Sequence, residues 1–380
     1  MLTKYQYDND SQEDIFMANT IKKIGVLTSG GDAPGMSSAV RAVALAALNQ
    51  GLEVVAIYEG YKGLIYNNIK SISNIDVLNF VNAGGTTLLS DRCDEFKTEE
   101  GMAKAIATCK EENIDAIIAI GGDGTFRGAT DLSHRGIPTI GIPATIDNDI
   151  TSTDYALGFD TAMNTNLMLG DRLRDTCWSH ARRNVIEIMG RGAGYLALQS
   201  GIALGATIVA IPECDFDEEA AIAKLKAARA GGQRSFIIAV AEGFPAKDGV
   251  PYGEYLTKRI NEETKAEGSW IDTKFCRPAH MVRGGAPTLR DRLMAAQFAE
   301  KAVELILAGK SDVVVCARNG EIVETDISYA LILDRMYKGK LKDGDLDKFS
   351  AEQVEAMKAF CAMRKADLDS MYALAELISH

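Results

Sequence analysis

Asp115 to Thr125 reads DAIIAIGGDGT, an apolar run that ends in two glycines, an acidic residue and a third glycine. Short apolar runs that end in Gly or Pro recur along the chain and alternate with longer amphipathic stretches. This alternation is typical of βα units, in which crossover helices join parallel strands. The stretch therefore predicts a buried strand, a tight turn and the start of a helix within an α/β fold.

The apolar runs fall into two series. Strands of the first series are predicted at 21–27, 53–57, 115–120 and 139–142, and those of the second at 184–189, 207–211 and 235–241. Helices are predicted at 35–49, 102–112, 124–132, 161–178, 193–203, 217–230 and 252–267. Because 380 residues exceed one ordinary core, we expect two lobes. The predicted fold class is α/β, with two Rossmann-like three-layer lobes around largely parallel sheets.

We expect the two lobes to lie between a flexible N-terminal extension and a helical C-terminal extension. The predicted ranges are 1–20 for the first extension, 21–158 with 271–321 for the first lobe, 159–270 with 322–330 for the second lobe, and 331–380 for the last extension. A helix at 289–307 and a strand at 313–317 carry the chain back to the first lobe. Apolar residues at helical spacing predict two tail helices, at 351–361 and 365–378.

Composition limits the partners and the compartment. The net charge of -12 disfavours nucleic acid and anionic membranes, because both attract spread-out Lys and Arg. Seven cysteines are scattered without a C-x-x-C pair, as is typical of reduced thiols. No window approaches the ~18 apolar residues of a spanning helix, and the acidic start does not resemble a secretory signal. We therefore expect a cytoplasmic protein.

The turn Gly121-Gly122-Asp123-Gly124-Thr125 predicts a phosphate site. Glycines let backbone N–H groups approach phosphate oxygens, and the helix that follows presents unpaired N–H donors to an anion. Asp123 would repel phosphate unless a cation lay between them, so we interpret it as a ligand of Mg²⁺. A plain tight turn capped by Asp is the alternative. The spacing matches neither a Walker loop nor the dinucleotide fingerprint.

A second loop, 143–149, follows another predicted strand and contains Asp147 and Asp149. Two carboxylates at this spacing can point toward one place, one as general base and one toward a metal. An Asx-rich turn explains the same residues without catalysis. A third glycine-rich turn, 28–35, repeats the pattern. Since open parallel sheets bind ligands at the carboxyl ends of strands, three such turns favour one shared crevice.

Arginine is dense in one part of this acidic chain. The arginines concerned are Arg172, Arg174, Arg182, Arg183 and Arg191. Clustered guanidinium groups suit a bidentate grip on phosphate. Solvated helix surface is the alternative, and for Arg172 and Arg183 we favour it. His280 and Arg283 precede two further glycines and could bind a sugar hydroxyl and a phosphate.

Seven segments of the chain occur in the order and at the spacing that are typical of one protein family. They are IGVLTSGGDAPGM (24–36), IGGDGT (120–125), PATIDNDI (143–150), TDYALGFDTA (153–162), DRLRDT (171–176), IEIMGR (186–191) and HMVRGG (280–285). Together they resemble the phosphofructokinase family over about 21–327. NAD kinases and diacylglycerol kinases carry a string similar to GGDGT, but none of the other segments. The resemblance implies a glycolytic kinase that transfers the γ-phosphoryl group of Mg-ATP to the 1-hydroxyl of fructose 6-phosphate.

The resemblance also implies roles for individual residues. Asp147 would accept the hydroxyl proton, Thr145 would hydrogen-bond nearby, and Arg191 would stabilise the transferred phosphoryl group. Mg²⁺ would be held by Asp123, with help from Asp149. The residues implied to line the ATP site are Gly31, Arg92, Cys93, Gly122, Asp123, Gly124 and Thr125. The residues implied to bind the sugar phosphate are Arg182, Met189, Gly190, Arg191, Glu242, Lys274, His280 and Arg283.

Three further expectations concern the assembly, the donor and the acceptor. The resemblance places Arg182 on an adjoining subunit, which implies a homotetramer or at least a dimer. Relatives that use pyrophosphate carry Asp and Lys where this chain has Gly124 and Ala144, so we expect ATP as donor. Lys274 stands where the family usually has Arg, and Arg277 could replace that guanidinium. Sedoheptulose 7-phosphate or tagatose 6-phosphate is therefore an alternative acceptor, and a catalytically silent sugar-phosphate-binding paralogue is a second alternative.

Overall fold

The computed structural model describes residues 21–266 and 271–379. The predicted flexible extension at 1–20 lies outside the described residues. The strands are β1 (Lys23–Ser29), β2 (Glu53–Ile57), β3 (Ile69–Ser71), β4 (Ala116–Gly121), β5 (Thr139–Pro143), β6 (Arg183–Ile188), β7 (Ile208–Ala210), β8 (Phe236–Ala241), β9 (Thr273–Cys276), β10 (Val313–Arg318) and β11 (Glu321–Asp326).

The helices alternate with these strands over most of the described chain. They are α1 (Met36–Asn49), α2 (Tyr61–Ile65), α3 (Glu99–Glu111), α4 (Asp123–Ser133), α5 (Phe159–His180), α6 (Tyr195–Ala203), α7 (Glu218–Ala230), α8 (Tyr252–Ala266), α9 (Leu289–Leu307), α10 (Ile327–Tyr337) and α11 (Ala351–Ile378). Among the described helices, none is long and apolar enough to cross a membrane.

Two sheets organise the molecule and confirm the predicted α/β fold class. The first has the order β11-β10-β5-β4-β1-β2-β3, with antiparallel strands at both edges and parallel strands between them. The second has the order β7-β8-β6-β9 and is parallel throughout. Every residue of β4 is buried, as expected for a central parallel strand covered by helices on both faces.

Sheet membership corrects two predicted boundaries. β9 pairs with β6 in the second sheet, so the first lobe does not resume at residue 271. β11 pairs antiparallel with β10 in the first sheet, so 322–326 does not belong with the second lobe. β9 is short, and its partner β6 lies far earlier in the chain. β11 instead forms a hairpin with the preceding strand β10, closed by Asn319 and Gly320. The predicted return of 313–317 to the first lobe is confirmed, because β10 pairs with β5.

Two further predictions are wrong in detail. The tail forms one continuous helix, α11, instead of two, since the linking residues 362–364 contain no Gly or Pro and favour a helix. Arg183, which we expected on a solvated helix surface, begins β6 and is fully buried. Its guanidinium lies over the Phe236 ring and donates a hydrogen bond to the carbonyl of Ile271 at 3.1 Å.

A buried carboxylate ties α9 to the start of α5. Asp291 accepts hydrogen bonds from the Tyr155 hydroxyl at 2.6 Å, the Gly158 amide at 2.8 Å and the Thr161 amide at 3.0 Å. The Thr161 amide belongs to the first turn of α5, which otherwise leaves its N–H groups without partners. These bonds fix the segment that leads from the loop after β5 into α5.

The C-terminal helices reach both lobes. α10 packs against α4, while α11 contacts α10, α6 and the edge strand β7. Met357 of α11 is buried beside Ile332 and Leu333 of α10. The two helices therefore form one unit that lies against both lobes.

Candidate active site

The carboxyl ends of β1, β4 and β5 open into one cleft of about 1720 Å³. The predicted site residues that line this cleft are Gly31, Arg92, Cys93, Gly122, Asp123, Gly124, Thr125, Thr145, Asp147, Asp149, Arg191 and Arg283. The structure thus brings residues 123 and 147 into the same cleft, as a shared crevice at the strand ends requires.

Strand register explains this convergence. β4 lies between β1 and β5, and its last residue, Gly121, pairs with Ser29 on one side and Pro143 on the other. The loops that follow β1, β4 and β5 therefore begin side by side at the same edge of the sheet. The Thr125 hydroxyl donates a hydrogen bond to the carbonyl of Ser29 at 3.0 Å and joins two of the glycine-rich turns. A side chain at Gly121 would clash with both of those groups, so this position needs glycine.

Asp147 is the most perturbed carboxyl group of the cleft. It is 3% exposed, and its Oδ1 has no hydrogen-bond partner among the described residues. Burial, followed by the charge of Asp149, raises the pKa of Asp147 to about 6, against the lowering effect of Arg283 and Arg191. A carboxylate with this pKa that lines the cleft is suited to accept a proton from a hydroxyl at neutral pH.

The loop that carries Asp147 is held by its own side chains. Asn148 has a φ of 49°, in the left-handed region that Asn tolerates better than most residues. Its side chain accepts from the Ala156 amide at 2.8 Å and donates to the Asp154 carbonyl at 3.2 Å. The Asp147 amide donates to the Thr145 hydroxyl at 3.2 Å. These bonds fix the loop on either side of the reactive carboxyl group.

Asp123 begins α4 and forms an ion pair with Arg127 one turn later. Burial raises the pKa of Asp123 and outweighs the opposite effect of Arg127. No group of three or more His, Cys, Asp or Glu side chains surrounds a common point within the described residues. Mg²⁺ often binds through one or two carboxylates together with substrate phosphates. The donor set of the cleft therefore fits a metal that enters with a polyphosphate.

Arg191 reaches the cleft from the second lobe, just after β6. It has a φ of 55°, and its amide donates a hydrogen bond to Glu242 Oε1 at 2.7 Å. The Gly190 amide donates to the same oxygen at 3.1 Å. Glu242, which we expected beside the sugar, thus also holds the backbone that presents Arg191. Non-glycine residues with positive φ cluster at functional sites, where the surroundings compensate the strain.

Arg283 links the third glycine-rich turn to the second lobe. Its Nη1 donates a hydrogen bond to the Asp32 carbonyl at 3.0 Å. A Cβ added at Gly31 would lie 2.9 Å from the same nitrogen, so the absence of a side chain at residue 31 leaves room for the guanidinium. Arg283 therefore lies where a ligand could bridge the two lobes.

Other predicted site residues do not line the cleft. They are Arg182, Met189, Gly190, Glu242, Lys274 and His280. Arg182 and Lys274 lie together, with side-chain nitrogens 3.9 Å and 2.9 Å from the Asp272 carboxylate. Arg277, which we considered as a substitute for a guanidinium at residue 274, is engaged elsewhere, with Nε 2.6 Å from Glu187 Oε1.

The cleft also has a wall that the sequence did not lead us to expect. Residues of α10, α11 and the turn between them line it, and those with polar or charged side chains are Asp334, Arg335, Tyr337, Lys338, Lys340, Cys361, Arg364 and Lys365. No motif marks these positions, because their role depends only on where the C-terminal helices pack.

Comparison with known proteins places this geometry in a family. The family model described as phosphofructokinase matches residues 23–306. The chain belongs to the phosphofructokinase family. Among curated members, "ATP-dependent 6-phosphofructokinase" of Clostridium novyi is 45% identical over 323 residues, which cover 85% of this chain and 98% of that protein. The protein of the same name from Bacillus subtilis is 46% identical over 307 residues, which cover 81% of this chain and 93% of that protein.

Solved phosphofructokinases share the fold. The structure of phosphofructokinase from Saccharomyces cerevisiae matches with a TM-score of 0.79 at 29% identity, and the match covers 89% of this chain. The match covers 50% of the yeast chain, which is therefore about twice as long as the matched region. A pyrophosphate-dependent phosphofructokinase from Marinobacter aquaeolei matches with a TM-score of 0.69 at 21% identity, covering 81% of this chain and 83% of that one, and this likeness concerns the fold alone.

Proposed function

We propose that this chain is an ATP-dependent 6-phosphofructokinase, which transfers the γ-phosphoryl group of ATP to the 1-hydroxyl of fructose 6-phosphate. One observation carries the proposal beyond family membership. A buried carboxylate with a raised pKa, Asp147, lies in the same cleft as three glycine-lined strand ends. Curated relatives that are 45% identical or more carry the corresponding name.

Asp147 serves as the general base in this mechanism. Its carboxylate, which lines the cleft, accepts the proton of the sugar hydroxyl as the hydroxyl oxygen attacks the γ-phosphorus. A pKa of about 6 leaves the carboxylate ionised at neutral pH and yet basic enough to draw the proton. Thr145 supports the loop through its bond to the Asp147 amide.

Backbone donors and guanidinium groups stabilise the phosphates. The amides at the start of α4, next to Gly122 and Gly124, bind phosphate oxygens at the positive end of the helix dipole. Asp123, assisted by Asp149, would hold Mg²⁺. When bound with the nucleotide, Mg²⁺ neutralises charge on the phosphoryl oxygens. Arg191 places its guanidinium beside the transferred group, where positive charge favours the transition state.

The donor preference rests on empty space beside the phosphate turn. A Cβ added at Gly124 or at Gly122 would meet no atom within 4 Å. Ala144, at the end of β5, presents only a methyl group to the cleft. These small residues leave room for the α-phosphate and the nucleoside, which supports ATP over pyrophosphate.

Two of the cations that we expect to bind the sugar phosphate do not line the cleft of their own chain. Arg182 and Lys274 lie side by side near Asp272, away from the cleft-lining residues. We propose that these two residues reach the 6-phosphate bound to a second copy of the chain. His280, which is exposed, and Arg283 bind the sugar phosphate from the same chain as the nucleotide site. This arrangement makes a homotetramer, or at least a dimer, the active form.

A coupled ADP-release assay tests the proposal. Wild-type protein is assayed with ATP or pyrophosphate against fructose 6-phosphate, tagatose 6-phosphate and sedoheptulose 7-phosphate. We expect the highest kcat/KM with ATP and fructose 6-phosphate. Asp147→Asn is expected to lose about 10²-fold or more in kcat. The matched control Asp248→Asn, in an exposed turn, is expected to retain full activity.

Other outcomes would point elsewhere. Faster turnover of another sugar phosphate would reassign the acceptor while keeping the chemistry. Turnover with pyrophosphate alone would contradict the steric argument at Gly124. An absence of phosphoryl transfer with every donor and acceptor would reject the enzyme in favour of a silent sugar-phosphate-binding protein.

A further inference from the structure

The C-terminal helix α10 and the residue after it contact the loop that follows β5 at two residues, Asp149 and Thr151. The Asp334 carboxylate accepts hydrogen bonds from the Thr151 hydroxyl at 2.8 Å and from the Thr151 amide at 3.3 Å. Lys338 Nζ lies 3.0 Å from Asp149 Oδ2 and 2.9 Å from Asp334 Oδ2. Residues 334 and 338 are one helical turn apart, so a single face of the helix end contacts both loop residues. We call Asp334 and Lys338 the α10 clamp.

We propose that the α10 clamp is a positioning device for the phosphoryl-transfer reaction, in which Lys338 sets the orientation and compensates the charge of Asp149. This inference rests on the proposed function and adds a residue beyond 23–306, the range that the family model matches. Lys338 is the one hydrogen-bond partner that the Asp149 carboxylate finds among the described residues. Without Lys338, that side chain is free to rotate.

Burial distinguishes the clamp from an ordinary surface ion pair. Exposed pairs contribute little because water screens them. Here the side chains of Lys338, Asp149 and Asp334 are 27%, 22% and 10% exposed. Two carboxylates lie within 3.0 Å of the Lys338 ammonium group and compensate its burial. The clamp therefore supplies a fixed positive charge at the cleft wall.

The charge also matters because the cleft contains several carboxylates. Asp149 raises the pKa of Asp147, and both Asp334 and Asp149 raise that of Asp123. A polyphosphate that enters this cleft meets their combined repulsion. Lys338 offsets the charges of Asp149 and Asp334 without occupying Asp147, the proposed base. Its loss should therefore impair phosphoryl transfer more than it impairs binding of the sugar.

The test compares three variants in the ADP-release assay with ATP and fructose 6-phosphate. Lys338→Met is expected to lower kcat by about tenfold or more, as misplaced reacting groups typically do, with a KM for the sugar phosphate within about twofold of wild type. Lys338→Arg should restore most of the kcat. Lys342→Met removes an exposed lysine of the loop after α10 that does not line the cleft, and this variant should behave as wild type.

A double-mutant cycle examines whether Lys338 acts through Asp149. In an Asp149→Asn background, Lys338→Met should cost much less than it does in the wild type, because the two residues share one interaction. Thr151→Val, which removes the hydroxyl bonded to Asp334, loosens the other half of the clamp and should lower kcat in the same direction. This variant keeps the idea testable even where Lys338→Met does not fold.

Each outcome separates the clamp from the proposed function. An inactive wild-type chain refutes the proposed function. An active wild-type chain whose kcat is matched or exceeded by that of Lys338→Met refutes the clamp alone. Equal losses in the wild-type and Asp149→Asn backgrounds would show that Lys338 acts independently of Asp149, which also overturns the inference.

Discussion

Replacement of Asp147 by Asn is expected to lower activity and raise stability at the same time. The wild-type carboxyl group is 3% exposed, and one of its oxygens lacks a partner among the described residues. Burial disfavours its charged form, which is why its pKa rises from 3.8 to about 6. The ionised side chain that the reaction needs is thus held in an unfavourable environment.

The free-energy cost of the buried charge follows from the pKa shift of Asp147. A change of roughly two pKa units corresponds to about 3 kcal/mol between the two protonation states. Because the pKa is higher in the folded state, the protonated group stabilises the fold below about pH 4, and this contribution is lost as the pH rises through about 6. At about pH 8 the folded protein therefore bears the whole cost of the buried charge.

Asparagine has nearly the same shape and no charge. At about pH 8 Asp147→Asn should be more stable than wild type by up to about 3 kcal/mol, or about 4 °C in thermal midpoint for a chain of this length. At about pH 4 the two proteins should have nearly equal midpoints. The same substitution removes the proton acceptor, so kcat should fall by about 10²-fold or more.

Thermal unfolding by calorimetry at about pH 8 and about pH 4 measures the effect on stability, and ADP-release kinetics measure the effect on activity. Asp248→Asn serves as the control, because its carboxyl group lies in an exposed turn and should change neither quantity. A midpoint difference between Asp147→Asn and wild type that is the same at both pH values would refute the reasoning. A less stable Asp147→Asn at the higher pH would refute it as well.

Two other predictions concern pH and the phosphate turn. The kcat/KM for the sugar phosphate should fall about tenfold per pH unit below about pH 6, because protonated Asp147 cannot act as base, and a flat pH–rate profile down to about pH 5 would contradict this. Gly124→Asp should raise the KM for ATP by about tenfold or more with an unchanged thermal midpoint, since the new side chain enters open cleft space and repels phosphate. Steady-state kinetics with ATP measure this effect, and unchanged ATP kinetics would refute the steric argument.

The sequence predicts the centre of the cleft well because strand ends determine it. Gly121, Asp123 and Asp147 directly follow apolar runs, and parallel neighbours in a sheet bring such positions to one edge. To predict that these positions meet, local sequence patterns had to be combined with one assumption, namely that β1, β4 and β5 are neighbours in the sheet. Once that order holds, the three glycine-rich turns have to meet.

Sheet membership of short strands is less predictable. β9 has four residues and finds its place through β6, a partner far away in sequence. β9 carries no local signal for one sheet or the other. β11 pairs with the preceding strand β10 across Asn319-Gly320, two residues with positive φ that favour a tight hairpin, and our prediction overlooked this local signal. Arg183 is a similar case, because its burial depends on stacking with Phe236 and bonding to Ile271, which come from other parts of the second lobe.

The contribution of α10 and α11 could not be predicted for a related reason. Their sequence indicates charged helices, and a charged helix face is usually solvated. Arg364 instead lies 6.0 Å from the Tyr195 ring centre and 3.3 Å from Asp154, and its side chain is only 12% exposed. Met357 of α11 packs against side chains of α10, and this tertiary packing places the charged residues of both helices at the cleft.

Charge balance connects the predicted and the unpredicted parts of the cleft. Its carboxylates at 123, 147, 149 and 334 are opposed by guanidinium or ammonium groups at 127, 191, 283 and 338. Two anionic substrates have to enter a space of about 1720 Å³, larger than the ~300–1,000 Å³ of a typical ligand pocket. Each carboxylate that loses its cation adds repulsion against both substrates. Lys338, the last of these cations, lies beyond residues 23–306, the range that the family model matches. The charge balance at the strand ends therefore depends on how the C-terminal helices pack against the cleft.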